Sequence, residues 1–452
     1  MINSRAVEVS TQVRTALALG CVALTWVTHA AAAGWTLPVT MATPVAPVAH
    51  FTFLTVATSP SGAQAAAWVT TDSANTPLAI QAVTRDPGGT WSAPQTIGVP
   101  VDAAGLGTFP RVAVSATGAA IVVWQTIPAT HGAAYLFDVT VQAAARPAHG
   151  AWGPATTLAS VTYGTYINDL PYPSAAMDAN GNALALWVQG NQYSATVEAA
   201  SLPAGGSWGR PIAVSAPANI QAAGLVGNAS GDALAVWTDQ PAGGSSSVWT
   251  MRSADRRSGV WTAPVVASPA HTRDNISGFT LNGRGDGVTV MGVTHSALAT
   301  SSSAFGSWSA QTTLACGRYN NSGVALDDAG NAAYLGYQFV SGTQQLAVCA
   351  RPAGGAWGAA VGIPGNIQST TVAPLSPSIV ATPGGTFVAA WADLNTSQLM
   401  VSERPIGAPA FVAPVAIGGI SSGAAIAAAA GDIVTIWVGS DQSVKFSELI
   451  GL

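Results

Sequence analysis

Short apolar runs, each opening on a turn glycine and closing on a tryptophan, punctuate this chain from end to end. Gly181–Trp187 reads G-N-A-L-A-L-W, and the same step recurs at Gly62/Trp68, Gly118/Trp124, Gly231/Trp237, Gly385/Trp391 and Gly431/Trp437. Two copies are weakened: Gly285 leads to Met291, and Gly330 leads to Gly336 beside Tyr337. The runs have strand length and lack the polar alternation of a half-exposed sheet, so they predict strands covered on both faces. Eight hairpins of one design follow from the eight copies.

A second motif alternates with the first. It is a turn, a tryptophan, usually a proline three residues on, and then an apolar strand, as in W-S-A-P-Q-T-I at 91–97. The copies begin at Trp35, Trp91, Trp152, Trp208, Trp261, Trp308, Trp357 and, with phenylalanine substituted, Phe411. Of the 15 tryptophans only Trp26 and Trp249 fall outside the two motifs, which marks a repeat architecture. Each repeat has room for four strands. In the second, strand A is Phe109–Ala116, B is Ala119–Thr126, C is Tyr135–Ala145 and D is Trp152–Ser160. Four antiparallel strands in roughly 50 residues match one blade of a β-propeller. The Gly- and Pro-punctuated runs rich in Val, Ile and Thr exclude a solenoid of helix pairs.

The chain ends fix the count. Gly34–Pro38 is a D-type motif with no A, B or C before it. The C-terminus supplies A (Ile420–Ala429), B (Asp432–Val438) and C (Ser443–Leu449) with no D after it. The two segments complement each other, and joining them leaves no exposed sheet edge. The fold predicted is all-β: a single domain, residues 34–452, of eight four-stranded blades closed by pairing of the N-terminal strand with the C-terminal strands. Seven blades is the alternative, if the repeat at 277–308 or 322–357 has degenerated.

Composition adds constraints. Hydrophobic residues make up 49% and charged residues 8%, with net charge −5, and Lys445 is the only lysine. Phosphate binding needs concentrated Lys and Arg, so a nucleic-acid partner is not expected. Arg5 and Arg14 precede the uncharged run Thr15–Val27, and Ala30–Ala33 follows with A-x-A spacing, so residues 1–33 read as an export signal. An uncleaved anchor is the alternative, and no later segment reads as a membrane span. Location is therefore expected to be secreted, periplasmic or cell-surface. Cys316 and Cys349 fall near opposite ends of neighbouring strands in this register, which argues for a buried thiol pair and against a bridge. No cofactor or metal is called for. Asp178–Asn182 and Asp327–Asn331 hint at calcium loops but lack alternating oxygen ligands, and Asp and Asn are ordinary turn residues. Arg284-Gly285-Asp286 spells a cell-attachment tripeptide, again within a turn. The histidines downstream of the signal have no nucleophile-elbow context.

One turn resembles a known pattern. Thr84-Arg85-Asp86-Pro87-Gly88-Gly89-Thr90-Trp91 fits the Asp-box, S/T-x-D-x-G-x-S/T-W, of sialidases and related propellers. Ser201–Trp208 keeps the Ser, Gly, Ser and Trp but has Pro203 for the aspartate, and Ala350–Trp357 keeps only Gly354 and Trp357. The chain thus resembles a distant sialidase-like repeat protein. In that family the box is a structural turn remote from the catalytic centre, so the resemblance implies a fold and not a reaction. The mature chain offers only Glu198, Glu403 and Glu448, all in C strands, and only Arg111 on an inner A strand. No catalytic set carries over.

In a propeller the D–A and B–C loops open on one face, where sites gather. The richest such loop is Val161–Pro173, with Tyr163, Tyr166, Asn168, Asp169 and Tyr172. Arg273, Asp274, Arg318, Tyr319, Asp239 and Asp393 belong to the same face. Tyrosines with amides and a few charges suit a polar or carbohydrate ligand. The function expected is an exported binding module for a glycan or an extracellular protein. The alternatives are a sialidase-like glycoside hydrolase or lyase, for which Asp169 and Asp274 are a candidate carboxylate pair, and a structural surface protein.

Overall fold

A strand needs its neighbours' backbone groups, and in this chain each glycine-headed run finds them on both sides. The computed structural model describes residues 34–101, 107–131, 136–163, 173–191, 194–240, 248–272, 274–293, 296–317, 323–340, 343–363, 377–393, 395–429 and 431–450. Among these every regular element is a strand.

The strands form eight antiparallel meanders, each ordered A-B-C-D. Sheet 1 is His50–Thr58, Gln64–Thr71, Pro77–Arg85 and Gln95–Gly98. Sheet 2 is Arg111–Val114, Ala120–His131, Leu136–Arg146 and Thr156–Tyr163. Sheet 3 is Ser174–Met177, Ala183–Asn191, Ser194–Leu202 and Ile212–Ala213. Sheet 4 is Asn219–Gly227, Ala233–Gln240 and Val248–Arg257, with Val260–Trp261 and Val265–Thr272 both on the C strand. Sheet 5 is Asp274–Leu281, Gly287–Val293, Ser296–Ser302 and Thr312–Thr313. Sheet 6 is Val324–Leu326, Ala332–Val340, Thr343–Arg351 and Val361–Gly362. Sheet 7 is Ser378–Ala381, Phe387–Asp393, Gln398–Arg404 and the first third of Val415–Ala429. The remainder of that long strand opens sheet 8, followed by Asp432–Gly439, Val444–Leu449 and, from the other end of the chain, Val39–Ala42. The shared strand makes sheets 7 and 8 one seven-stranded sheet, and none of the sheets closes on itself.

The expected pairing of the chain ends is present. Val39 faces Phe446, and Trp35 bridges Leu449. Thr36 N donates to Glu448 O at 2.8 Å and Ile450 N to Gly34 O at 2.9 Å. Trp35 is 2% exposed and joins the cluster of Val388, Ile433 and Trp437.

The sheets stack face to face, which explains the apolar B strands: Gln64–Thr71 is buried at every position. The A strands pack on one another in chain order, from sheet 1 to sheet 8, and the sheet 8 strand packs back on His50–Thr58. Their A–B turns converge on one cavity of about 260 Å³, lined by residues of all eight meanders, from Ser59 through Asp178 and Asn282 to Ala429. Each turn places its glycine at positive φ, from +83° at Gly62 to +102° at Gly385, where a side chain would be strained. In sheets 3 to 7 the side chain three residues before that glycine caps the turn. Asp178 Oδ1 accepts from Asn180 N and Asn182 N, and Asn282 Oδ1 from Arg284 N and Asp286 N. Neighbouring turns are tied together as well, Asn282 Nδ2 donating to Asp327 O at 2.9 Å and Gly283 N to Asp328 Oδ1 at 2.8 Å.

The cysteines differ from expectation. Cys316 and Cys349 form a disulfide with Cα atoms 5.8 Å apart. The register reading kept Cys316 in its own sheet. In the structure the chain leaves sheet 5 after Leu314, and Gly317 bridges Tyr337 in the B strand of sheet 6. Cys316 therefore lies on the face of sheet 6 that carries Tyr334 and Cys349, in one buried cluster.

Candidate functional site

The loop-bearing end is described in part. Tyr166, Asn168, Asp169, Tyr172, Arg273, Arg318 and Tyr319 lie outside the described residues. Tyr163 ends the D strand of sheet 2, opposite Phe137, and Asp274 opens the A strand of sheet 5, opposite Val293; their side chains lie outside the description. Asp239 and Asp393 are described in full, and the structure separates them into sheets 4 and 7.

Both aspartates stand two residues beyond the tryptophan that closes a B strand. That tryptophan is buried and its indole N–H must find an acceptor. Trp68 donates to Gln81 Oε1 at 3.1 Å, Trp124 to Gln142 Oε1 at 3.1 Å and Trp187 to Gln189 Oε1 at 3.0 Å. In sheet 4 the acceptor is Asp239, with Trp237 Nε1 at 3.1 Å from Oδ2. Arg252, on the C strand opposite Trp237, donates Nε to the same oxygen at 2.7 Å. The other oxygen, Oδ1, is buried and has no hydrogen-bond partner among the described residues. Burial pushes the Asp239 carboxyl above its ordinary range, against the pull of Arg252 and the Trp237 bond. A pocket of about 300 Å³ opens on this group, lined by Ser215, Pro217, Trp237, Gln240, Arg252 and Pro264. Asn219 Nδ2 holds the Gln240 carboxamide at 2.7 Å, so two polar groups at the pocket are fixed in orientation.

Asp393 does something simpler. Its oxygens accept from Asn395 N at 2.9 Å and Thr396 Oγ1 at 2.8 Å, so it caps its own B–C turn.

A second feature escapes sequence reasoning. The A strand of sheet 1 carries a bulge between Thr52 and Thr55, and within it Phe53 has φ 54°, a conformation rare for a bulky residue. Its ring is 38% exposed and meets Phe109, from the segment entering sheet 2, with centroids 4.4 Å apart. Arg111 follows at the start of the sheet 2 A strand, exposed, with Nη1 3.4 Å from Pro110 O. Period-two reading assigns Phe53 to one face of a regular strand. The positive-φ bulge that re-aims it has no sequence signal, since no Gly or Asn stands there.

Two of the three third-strand glutamates act between sheets, and Glu198 acts within its own strand. Glu403 Oε1 accepts from Trp35 Nε1 at 2.9 Å, and burial raises its carboxyl although that bond lowers it. Glu448 accepts from Gln64 Nε2 at 2.7 Å and pairs with Arg85. Glu198 takes the Thr196 hydroxyl at 2.7 Å. The calcium reading gives way to turn chemistry: the second oxygens of Asp178 and Asp327 accept from Asn182 and Asn331 at 2.7 Å. Among the described residues no group of three His, Cys, Asp or Glu could hold a metal. The Arg284–Asp286 tripeptide folds its charges onto each other at 2.8 Å within the turn. No helix among the described residues is long and apolar enough to cross a membrane.

No family model and no curated protein matches the chain. Solved structures do. The chain is similar to a GH93 α-L-arabinofuranosidase of Fusarium graminearum at 12% identity, over 92% of this chain and 98% of that one, with TM-score 0.45. It is similar to an α-L-arabinanase of Penicillium chrysogenum at 12% identity, covering 92% and 98%, with TM-score 0.44. It is also similar to the NanB sialidase of Streptococcus pneumoniae at 12% identity, covering 91% and 70%, with TM-score 0.40. No residue role passes from these enzymes to this chain.

Proposed function

We propose that the eight meanders are the blades of one closed propeller, residues 34–452, exported, and that its loop-bearing end binds a polyhydroxylated, carbohydrate-type ligand. Cyclic packing of the A strands and the shared cavity at their turns support the wheel. The disulfide supports export, because such bonds persist in oxidising compartments. One observation carries the ligand reading: Asp239, whose buried Oδ1 has no partner among the described residues, lines a pocket of about 300 Å³. A buried acceptor left open costs stability unless something donates to it, and a sugar hydroxyl is such a donor. The exposed aromatic at Phe53, set on the same end, offers the stacking face that sugar rings use.

The test is a glycan array with the wild-type chain and D239N. The amide still accepts from Trp237 and Arg252 but turns an N–H toward the pocket. Glycan binding lost in D239N, with circular dichroism unchanged, is the expected outcome. Wild-type binding to no glycan, or D239N binding as wild type does, ends the reading.

Hydrolysis or lyase chemistry is the second reading, favoured by a carboxyl at a pocket that burial pushes above its ordinary range, the direction a general acid needs. A hydrolase needs a second carboxylate within about 10 Å. Sugar release from a panel of fluorogenic glycosides, abolished in D239N, would establish it.

A further inference from the structure

At the other end of the sheets an arginine ends the C strand in sheets 1, 2, 6 and 7, and Arg256 stands near that end in sheet 4. Three of these reach a turn carbonyl of their own sheet: Arg146 to Gly118 O at 2.7 Å, Arg256 to Gly231 O at 3.4 Å and Arg351 to Gly330 O at 3.4 Å. Most also reach back to the preceding sheet. Arg85 pairs with Glu448, Arg146 lies 3.7 Å from Asp86, and Arg256 lies 3.5 Å from Ser201 Oγ. Arg351 is built on the same plan, and the acid waiting for it in sheet 5 is Asp286. That carboxylate is already taken: Asn282 Nδ2 donates at 2.9 Å, Arg284 Nη2 at 2.8 Å and Ala304 N at 2.9 Å.

Among the described residues Arg351 is thus a half-buried cation without a bonded carboxylate. Its guanidinium lies 5.7 Å over the Trp357 ring, and its buried Nε has no partner among the described residues. Around it a cleft of about 810 Å³ separates sheets 5 and 6. Ser301, Ser302, Ser309 and Thr312 line the cleft with hydroxyls. Arg351 and Arg284 against Asp286 leave one positive charge in the cleft, since two cations minus one anion is +1. The volume lies within the range of small-molecule sites.

We propose that this cleft is a second binding site, for an oxyanion carried on a polyhydroxylated body, an acidic sugar, with Arg351 gripping the anion and the serines meeting the hydroxyls. A planar guanidinium suits a carboxylate or a sulfate ester through paired N–H donors. The site lies at the turn-bearing end and is independent of Asp239.

Isothermal titration of the full chain with D-glucuronate, D-glucose 6-sulfate, D-glucose and inorganic sulfate tests it. Glucuronate, glucose 6-sulfate or both should bind at least tenfold tighter than glucose and than inorganic sulfate, and the two acidic sugars distinguish carboxylate from sulfate ester. R351Q should weaken that binding tenfold or more, with R351K between the two. A353E, an exposed change at the cleft rim, should weaken it similarly and leave the melting temperature in place, so the test survives if R351Q fails to fold. D239N should leave it unchanged, which separates this site from the loop-end reading. Absence of binding by either acidic sugar, equal binding of glucose or inorganic sulfate, or indifference to both R351Q and A353E overturns the proposal.

Discussion

The junction between sheets 8 and 1 and the junction between sheets 5 and 6 solve one problem with different chemistry. Each must hold two apolar faces together at the end where the C strand finishes. Between sheets 8 and 1 the fastening is polar: Glu448 receives Gln64 Nε2 at 2.7 Å and pairs with Arg85, whose Nε also donates to Gly89 O at 2.8 Å. Between sheets 5 and 6 it is covalent. Cys316 crosses over to meet Cys349, two residues before Arg351, and the arginine is left without an acid. One C-strand arginine is a fastener where a carboxylate faces it and an open cation where the carboxylate is committed elsewhere.

The largest effect should come from cutting the covalent fastener. The disulfide closes a segment of 33 residues. Chain-entropy reasoning puts its contribution at about 3–4 kcal/mol. Replacing both cysteines by serine should lower stability by that amount in urea titrations, and reductant should do the same to wild type but not to the variant. An unchanged midpoint would mean that packing of sheets 5 and 6 suffices without it.

Next comes Glu448→Ala. It leaves Arg85 and Gln64 facing a gap, with side-chain exposures of 21% for Arg85 and 11% for Glu448. Removing one partner of a mostly buried pair should cost about 2–3 kcal/mol, somewhat less than a fully buried one. Glu448→Gln should recover part of this, because it keeps an acceptor for Gln64. Thermal melts of the two variants at pH 7 decide, and equal losses would show that charge contributes nothing beyond shape.

Much of this architecture was legible in the sequence and the fasteners were not. The glycine-to-tryptophan step marked the B strands because a turn needing positive φ and a covered strand leave a fixed spacing. The lone D-type motif at Trp35 found its sheet because the C-terminal meander lacked one. Asp239 was named only as one polar residue of the loop face; that it takes the Trp237 indole N–H, as Gln189 takes that of Trp187 in sheet 3, has no signal along the chain. The Arg85–Glu448 pair, separated by 363 residues, shows no pattern along the chain, since only the meeting of first and last sheets creates it. Cys316 was misread because a segment that changes sheets breaks the register from which its position was inferred. Phe53 was missed because a bulge cancels the alternation that reading relies on.

The two junctions should also differ in how strongly their charges cooperate. A double-mutant cycle on Arg85 and Glu448 should return a coupling of about 1–2 kcal/mol, and one on Arg351 and Asp286 less than about 0.5 kcal/mol. Acid should act on Asp286 through its other bonds. Burial alone would raise its carboxyl, but Asn282, Ala304 and Arg284 together hold it below 3.8. A depressed folded value means that its stabilisation is complete above the unfolded value and fades as pH falls from there through the folded one. D286N should therefore lower stability at pH 7 and flatten the acid limb, its deficit against wild type closing as pH falls below about 4.

The smallest effect is the most specific. Arg284→Gln removes the cation that occupies Asp286 at 2.8 Å, while Asn282 and Ala304 keep the carboxylate in place. The other cation that Asp286 influences is Arg351, whose burial lowers its own pKa and whose charge is supported by that same aspartate. Freed from Arg284, the acid should turn toward Arg351 and the open junction should come to resemble the closed one. The Arg351–Asp286 coupling, measured again in the R284Q background, should then rise by about 0.5–1 kcal/mol, the range of a partly exposed ion pair. Net stability should barely move, since one pair replaces another. A coupling that stays near zero in R284Q would mean that the distance between sheets 5 and 6, and not competition for the carboxylate, keeps Arg351 apart, and that the cleft is rigid where its neighbours are stapled.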